Sequence, residues 1–164
     1  MEPASKPQNL TIRAAVEGDV PQIVQLIGEI WGEYGCVLDT SVEEKYLLTP
    51  SEYFHARHGE FWVAEEGDRI VATVALMMID DDIAELKSLY VHKARRGAGL
   101  GKRLTRLALD LAKERDARKM VLWTDTRFAS AHRLYKSLGF TKTGTRHLDD
   151  MNNTTEFRFV LSLG

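Results

Sequence analysis

A chain of 164 residues, 44% hydrophobic and 28% charged, is long enough to bury a sizeable core as one domain. Its formal net charge of −2 excludes a generally basic nucleic-acid-binding domain. The lone cysteine, Cys36, excludes an intrachain disulfide and a zinc site built on several cysteines.

The opening MEPASKPQNL has neither the apolar core of a signal peptide nor an Arg-rich amphipathic pattern, and no stretch is long and apolar enough to span a membrane. The expectation is a cytoplasmic protein with a disordered leader over residues 1–9 and a single domain over residues 10–164. LTIRAA (Leu10 to Ala15) reads as a strand. GDVPQIVQLIGEIWGEYG reads as a helix, with Asp19 at its N-cap, Pro21 in its first turn and Ile23, Leu26, Ile27 and Ile30 on one stripe. A second helix is expected to start near Ser41, where Glu44 completes a capping-box pattern, and to carry Val42, Tyr46, Leu47, Tyr53 and Phe54. EFWVAEE and RIVATVALMMI are strands joined by a tight Gly67-Asp68 turn. After the solvated turn at Asp80 to Asp82, IAELKSLYV alternates as a strand. KMVLWT is a further strand, ASAHRLYKSLG a short helix stopped by Gly139, and FTKTGTRH and TTEFRFVLSL are the closing strands. The elements predict an α+β domain with a mostly antiparallel sheet.

The segment VHKARRGAGLGKRLTRLALDLAKER breaks the ordinary pattern. Leu100, Leu104, Leu107, Ala108 and Leu111 make an amphipathic helix, yet it begins with Gly97, Gly99 and Gly101. Glycine costs about 1 kcal/mol relative to alanine inside a helix. At a helix start, where several N–H groups are unpaired and the dipole is positive, glycines leave the backbone open to an anion. Lys93, Arg95, Arg96, Lys102, Arg103 and Arg106 crowd the same place. The reading is a phosphate cradle between strand and helix. The P-loop pattern fails, because Arg96 stands where its first glycine belongs and Arg103 follows Lys102. The dinucleotide pattern fails because Lys102 stands at its third glycine. R-x-x-G-x-G fits, as Arg96, Gly99 and Gly101.

With AELKSLYV upstream, SAHRLYKSLGF downstream and the opening strand and helix in register, the chain resembles the GNAT superfamily of acyl-CoA-dependent N-acyltransferases from about Leu10 to Leu163. The resemblance implies a GNAT fold, a mixed, mainly antiparallel sheet flanked by helices. It also implies acetyl-CoA in a V-shaped opening between the strand ending at Val91 and the one ending near Thr124. On this resemblance Leu89, Tyr90 and Val91 would pair with pantetheine, and a backbone N–H near Val91 would stabilise the oxyanion. Arg96, Gly97, Ala98, Gly99, Leu100, Gly101 and Lys102 would hold the pyrophosphate. Tyr135, in LYKSLGF, would protonate the departing thiolate; its spacing with Ala131, Leu134 and Leu138 equally allows a core tyrosine. Glu85 aligns with a general base of some members and reads equally as a solvent-facing strand carboxylate. Many relatives carry asparagine where Phe128 stands here. The pantetheine contact would pass to Ser130 or Thr126, or to the Phe128 ring itself.

The implied reaction is direct acetyl transfer to a primary amine, expected to belong to a small molecule, with no metal, nucleic acid or membrane involved. Dimers are common in the family, so a homodimer is allowed. The alternatives are a non-catalytic acyl-CoA-binding sensor, or acetylation of a protein N-terminus or lysine. His55 and His58, His132 and His147 are read as structural or exposed, and Cys36 as a small buried or loop residue. One or two of Trp31, Tyr34, Tyr46, Tyr53 and Phe54 are expected at the acceptor. Glu29, Glu33 and Asp39 are weighed as attractors of a cationic amine against plain solvated charges, and Asp149 and Asp150 as acceptor-rim contacts.

Overall fold

The computed structural model describes residues 9–41 and 44–164. Its strands are β1 (Leu10–Ala14), β2 (Glu60–Glu66), β3 (Arg69–Met78), β4 (Ile83–Val91), β5 (Lys119–Asp125), β6 (Thr141–His147) and β7 (Thr155–Ser162). They form one sheet in the order β1-β2-β3-β4-β5-β7-β6. All neighbouring pairs are antiparallel except β4 and β5, which run parallel. The helices are α1 (Val20–Gly32), α2 (Pro50–His55), α3 (Leu100–Glu114) and α4 (Ala129–Ser137). Among the described residues no helix is long and apolar enough to cross a membrane.

Helices cover both faces, which is why β3 reads as an almost unbroken apolar run. Ile23, Ile27 and Ile30 of α1 and Phe54 of α2 pack with Phe61, Val63 and Ala75 on one face. Leu100, Leu104, Ala108 and Ala112 of α3 pack with Val74, Leu76, Met120 and Phe159 on the other. Each fully buried side chain of Leu104's kind contributes about 1.5–3 kcal/mol. Gly59, at the entrance to β2, has no alternative: a Cβ there would lie 1.8 Å from the carbonyl oxygen of Leu76.

The feature that positions the site is a split in the sheet. β4 and β5 pair only at Ile83–Lys119, Ala84–Met120 and Glu85–Val121, then run on to Val91 and Asp125 unpaired with each other. β5 stays on β7 for its whole length. β4 is bent away by a bulge where its register on β3 shifts between Thr73 and Ala75. Opposite the shift Ser88 adopts the left-handed region, φ 55°, and the buried Thr73 hydroxyl donates to the Ser88 carbonyl at 2.7 Å. The V-shaped opening expected from the sequence is present between these two limbs.

One local expectation needs correction. No helix starts at Ser41: a short 3-10 turn covers Lys45–Leu48 and α2 begins at Pro50. Both the N–H and the hydroxyl of Ser41 donate to Asp39, at 2.9 and 2.5 Å, so its side chain is spent on an Asx-type turn rather than on a helix cap. Val42 and residues 1–8 of the expected leader lie outside the described residues. Asp19 stands at the N-cap of α1 but makes no side-chain cap bond. It accepts instead from Arg13 at 2.7 and 2.8 Å and from the Val16 N–H at 2.8 Å, and these bonds hold its carboxyl below the usual range. Gly139 does end α4, at φ 96°. The Phe140 N–H reaches the Tyr135 carbonyl at 3.0 Å and the Gly139 N–H that of Lys136 at 3.1 Å, a Schellman ending.

Candidate active site

The glycine segment enters α3 through two left-handed glycines, Gly97 at φ 83° and Gly99 at φ 84°, each with open space where a Cβ would be. Gly101 has a different reason. A Cβ there would lie 3.2 Å from Leu134 Cδ2, so glycine lets α3 approach α4. No backbone hydrogen bond is made by the N–H groups of residues 97–102 among the described residues. That leaves six consecutive donors at the positive end of a 15-residue helix. A cavity of about 380 Å³ lies against them. Of the residues assigned to cofactor binding from the sequence, all line it except Ala98.

The arginines divide between two tasks. Arg96 donates from both terminal nitrogens to the two carboxylate oxygens of Glu33, at 2.7 and 2.8 Å, and from Nε to the Val91 carbonyl at 3.0 Å. This pins the cradle to the end of α1 and to β4; the pair raises the Arg96 pKa and lowers that of Glu33. Arg95 pairs with Glu66. Lys102 remains on the cradle wall. Just past β4, the His92 N–H donates to the Val71 carbonyl at 2.8 Å. Antiparallel alternation then turns the Val91 N–H away from β3, toward the split.

A second cavity, about 300 Å³, fills the space between the two limbs. Glu85 lies at its floor, where β4 and β5 part, with its carboxylate 3.7 Å from Lys87 Nζ. Tyr135 lines it from α4, its ring packed on Phe140 and Phe159 at centroid distances of 5.7 Å each. The Tyr135 hydroxyl makes no hydrogen bond among the described residues. No fully buried side-chain polar atom among them lacks a partner, so this hydroxyl opens onto the cleft. Burial pushes its pKa upward, which keeps it protonated at neutral pH. Five carboxylates line this cavity, from Glu44, Glu85, Asp125, Asp150 and Glu156, against two cations, Lys87 and Arg146. Arg146 pairs with Glu156 at 2.7 Å and lies over the Trp123 ring at 4.0 Å.

Several sequence candidates stand elsewhere. Glu29, Glu33 and Asp39 do not line the acceptor cavity: Glu29 accepts from Gln25 at 3.1 Å, Glu33 holds Arg96 and Asp39 holds Ser41. Of the five early aromatics, Trp31 and Tyr46 line the acceptor cavity and Tyr34 the cradle cavity. Asp150 lines the cleft and caps the Thr154 N–H at 2.7 Å; Asp149 and Thr126 do not line it. His132 bonds the Asp125 carbonyl at 2.9 Å and stacks near Phe159, a structural role. His55 bonds Glu60 at 2.9 Å.

Other contributors carry no local signal in the sequence. Arg127 donates to Cys36, to the Asn152 carbonyl at 2.6 Å and lies 3.7 Å from Asp125, while the Asn152 side chain both accepts from and donates to the Val37 backbone, at 2.9 and 2.8 Å. These bonds fasten the turn between β6 and β7, which forms one rim of the cleft, to residues 36–37. Glu44 joins the acidic wall from the far side of a turn that the sequence reads as helix.

Known proteins resemble this chain in sequence and in fold. The chain is 35% identical over 128 residues to N-acetyltransferase 8F1 of Rattus norvegicus, covering 75% of this chain and 56% of that protein. It is 33% identical over 129 residues to N-acetyltransferase 8 of Homo sapiens, covering 76% of this chain and 56% of that one. It therefore spans little more than half the length of these mammalian relatives. The uncharacterized N-acetyltransferase YjgM of Escherichia coli is 30% identical over 144 residues, with 82% of this chain and 83% of that protein covered. Among solved structures, an acetyltransferase from Streptococcus agalactiae superposes with a TM-score of 0.83 at 23% identity, covering 94% and 98% of the two chains. Salmonella typhimurium yncA, solved with its cofactor acetyl-CoA, superposes with a TM-score of 0.75 at 22% identity, covering 94% of each. At these identities the likeness to the solved structures is one of fold. Residues 23–140 match the sequence profile of the Acetyltransferase (GNAT) family. That match takes in β4, β5, α3 and α4, which face the split and the cradle, and the chain belongs to this family.

Proposed function

We propose that the chain transfers an acetyl group from acetyl-CoA to the primary amine of a small molecule, directly, with both substrates bound at once. The observation that carries this reading is the junction in the split sheet. A cradle of unpaired N–H groups opens on one side of it and a cleft with a proton donor and a carboxylate opens on the other. The cradle suits a pyrophosphate, and the chain's similarity in fold to yncA with its acetyl-CoA supports the choice of donor.

Acetyl-CoA, when bound, supplies the acetyl group as an activated thioester. The Val91 N–H, turned into the split, donates to the carbonyl oxygen and stabilises the charge that develops there. Glu85 accepts the amine proton, directly or through a water, and Tyr135 delivers its phenolic proton to the departing sulfur. The excess of carboxylates over cations on the acceptor wall favours a positively charged amine in the ground state. The modest volume and the fastened rim favour a small acceptor over a folded protein surface.

The test is thiol release from acetyl-CoA against amino acids, polyamines, aminoglycosides and peptides. Release that depends on a small amine is the expected result. Release with peptides alone would overturn the acceptor class. Silence throughout, with acetyl-CoA binding demonstrated in the same samples, would favour a non-catalytic acyl-CoA-binding module.

A further inference from the structure

The two cavities touch at four residues, Leu89, Tyr90, Phe128 and Ala131, which line both. Whatever passes from the cradle to the acceptor cleft passes between them. Two of the four bring large rings, and neither ring is loose. Tyr90 accepts a hydrogen bond from Trp31 Nε1 at 2.9 Å and meets Phe128 edge-on, with centroids 6.3 Å apart. Phe128 meets Tyr34 edge-on at 4.9 Å on its other side. The Phe128 backbone is held as well: its N–H donates to the Asp125 carbonyl at 3.1 Å, and its carbonyl accepts from the His132 N–H at 3.2 Å. Ala131, three residues on from Phe128 at the start of α4, adds only a methyl group to the same wall.

We propose that Phe128, braced between Tyr90 and Tyr34, is the residue that limits the acyl group to two carbons. The inference rests on the acyl-CoA reading of the cradle. A thioester entering from the cradle brings its acyl group to this junction, against the Phe128 and Tyr90 rings, whose centroids are 6.3 Å apart. A longer chain must displace a ring held by two edge contacts, or project into the cleft that the amine needs. Each methylene in such an apolar site discriminates by about 10- to 200-fold.

Calorimetric titration of acetyl-CoA, butyryl-CoA and free CoA tests this without knowledge of the acceptor. The wild type is expected to bind butyryl-CoA at least about tenfold more weakly than acetyl-CoA. Phe128→Ala is expected to bring the two within about threefold, the removed ring leaving space for the extra carbons. Phe128→Leu, which keeps an apolar contact, applies the same test should the alanine variant fail to fold. Ala131→Leu adds bulk to the junction beside Phe128 and is expected to weaken acetyl-CoA about tenfold relative to free CoA. The gauge is overturned by a wild type that binds both thioesters alike, or by Phe128 variants that leave their ratio unchanged. A wild type that binds none of the three ligands refutes the acyl-CoA reading itself. Binding without discrimination refutes the gauge alone.

Discussion

Replacing Tyr135 by phenylalanine removes one hydroxyl and leaves the ring where it is, which makes it the sharpest test of the proposed chemistry. The ring is 5% exposed and keeps its packing on Phe140 and Phe159 in the variant. The hydroxyl holds no hydrogen bond among the described residues, so its loss orphans no buried partner, and stability is expected to stay within about 0.5 kcal/mol of wild type. Acetyl-CoA affinity is expected to be unchanged, because the cradle lies in the other cavity. Turnover is the quantity that moves. A positioned proton donor contributes about 10²- to 10⁴-fold, or ~2.7–5.4 kcal/mol of barrier. Thiol release with the acceptor found by the amine panel, thermal denaturation and calorimetric titration of acetyl-CoA give the three readouts. A kcat within threefold of wild type, with stability and affinity preserved, would make Tyr135 a packing residue and refute its role as acid.

Gly59→Ala forces a Cβ against the Leu76 carbonyl oxygen at 1.8 Å and should cost about 3 kcal/mol, seen as a fall of roughly 6–12 °C in Tm; an unchanged melt would mean that the chain entering β2 yields freely. Arg96→Met unpins the cradle from Glu33 and the Val91 carbonyl, so the Kd for CoA should rise about three- to tenfold with kcat near wild type. A variant that binds CoA as tightly as wild type would show that the loop keeps its shape unaided. His132 is held below its ordinary pKa, first by burial and then by Lys136 and Lys142. As pH falls below ~6.5 the unfolded chain takes up a proton that the folded one refuses. Stability should therefore decline on acidification until the folded-state pKa is reached, and His132→Gln should flatten that part of a denaturation-against-pH series. Parallel curves for the two proteins would remove His132 from the account.

Much of this molecule is legible along the chain, because the signals are local. The alternation in EFWVAEE, the 3.6-residue stripe from Leu100 to Leu111 and the Gly139 stop each act within a few residues, and the elements appear where they point. The left-handed entry to α3 needs glycine at positions 97 and 99, so the cradle too is written locally. Where a local signal met a competing partner, it misled: the Ser41 capping pattern lost to Asp39.

What only the tertiary structure decided is how these elements part and rejoin. The bulge that bends β4 depends on Thr73 reaching Ser88 across the neighbouring strand. Arg96 finds Glu33 across 63 residues of sequence, and Arg127 finds Asn152 across 25. Glu44 and Asp150 come from opposite ends of the chain to one acidic wall. Phe128, which the family resemblance marked as a replaced asparagine and a candidate pantetheine contact, became a junction between two cavities once Tyr90 and Tyr34 closed on it from separate elements. Local sequence fixes which backbone conformations are cheap. Which side chains meet depends on the packing of elements distant in sequence, and that packing is settled only when the whole core forms.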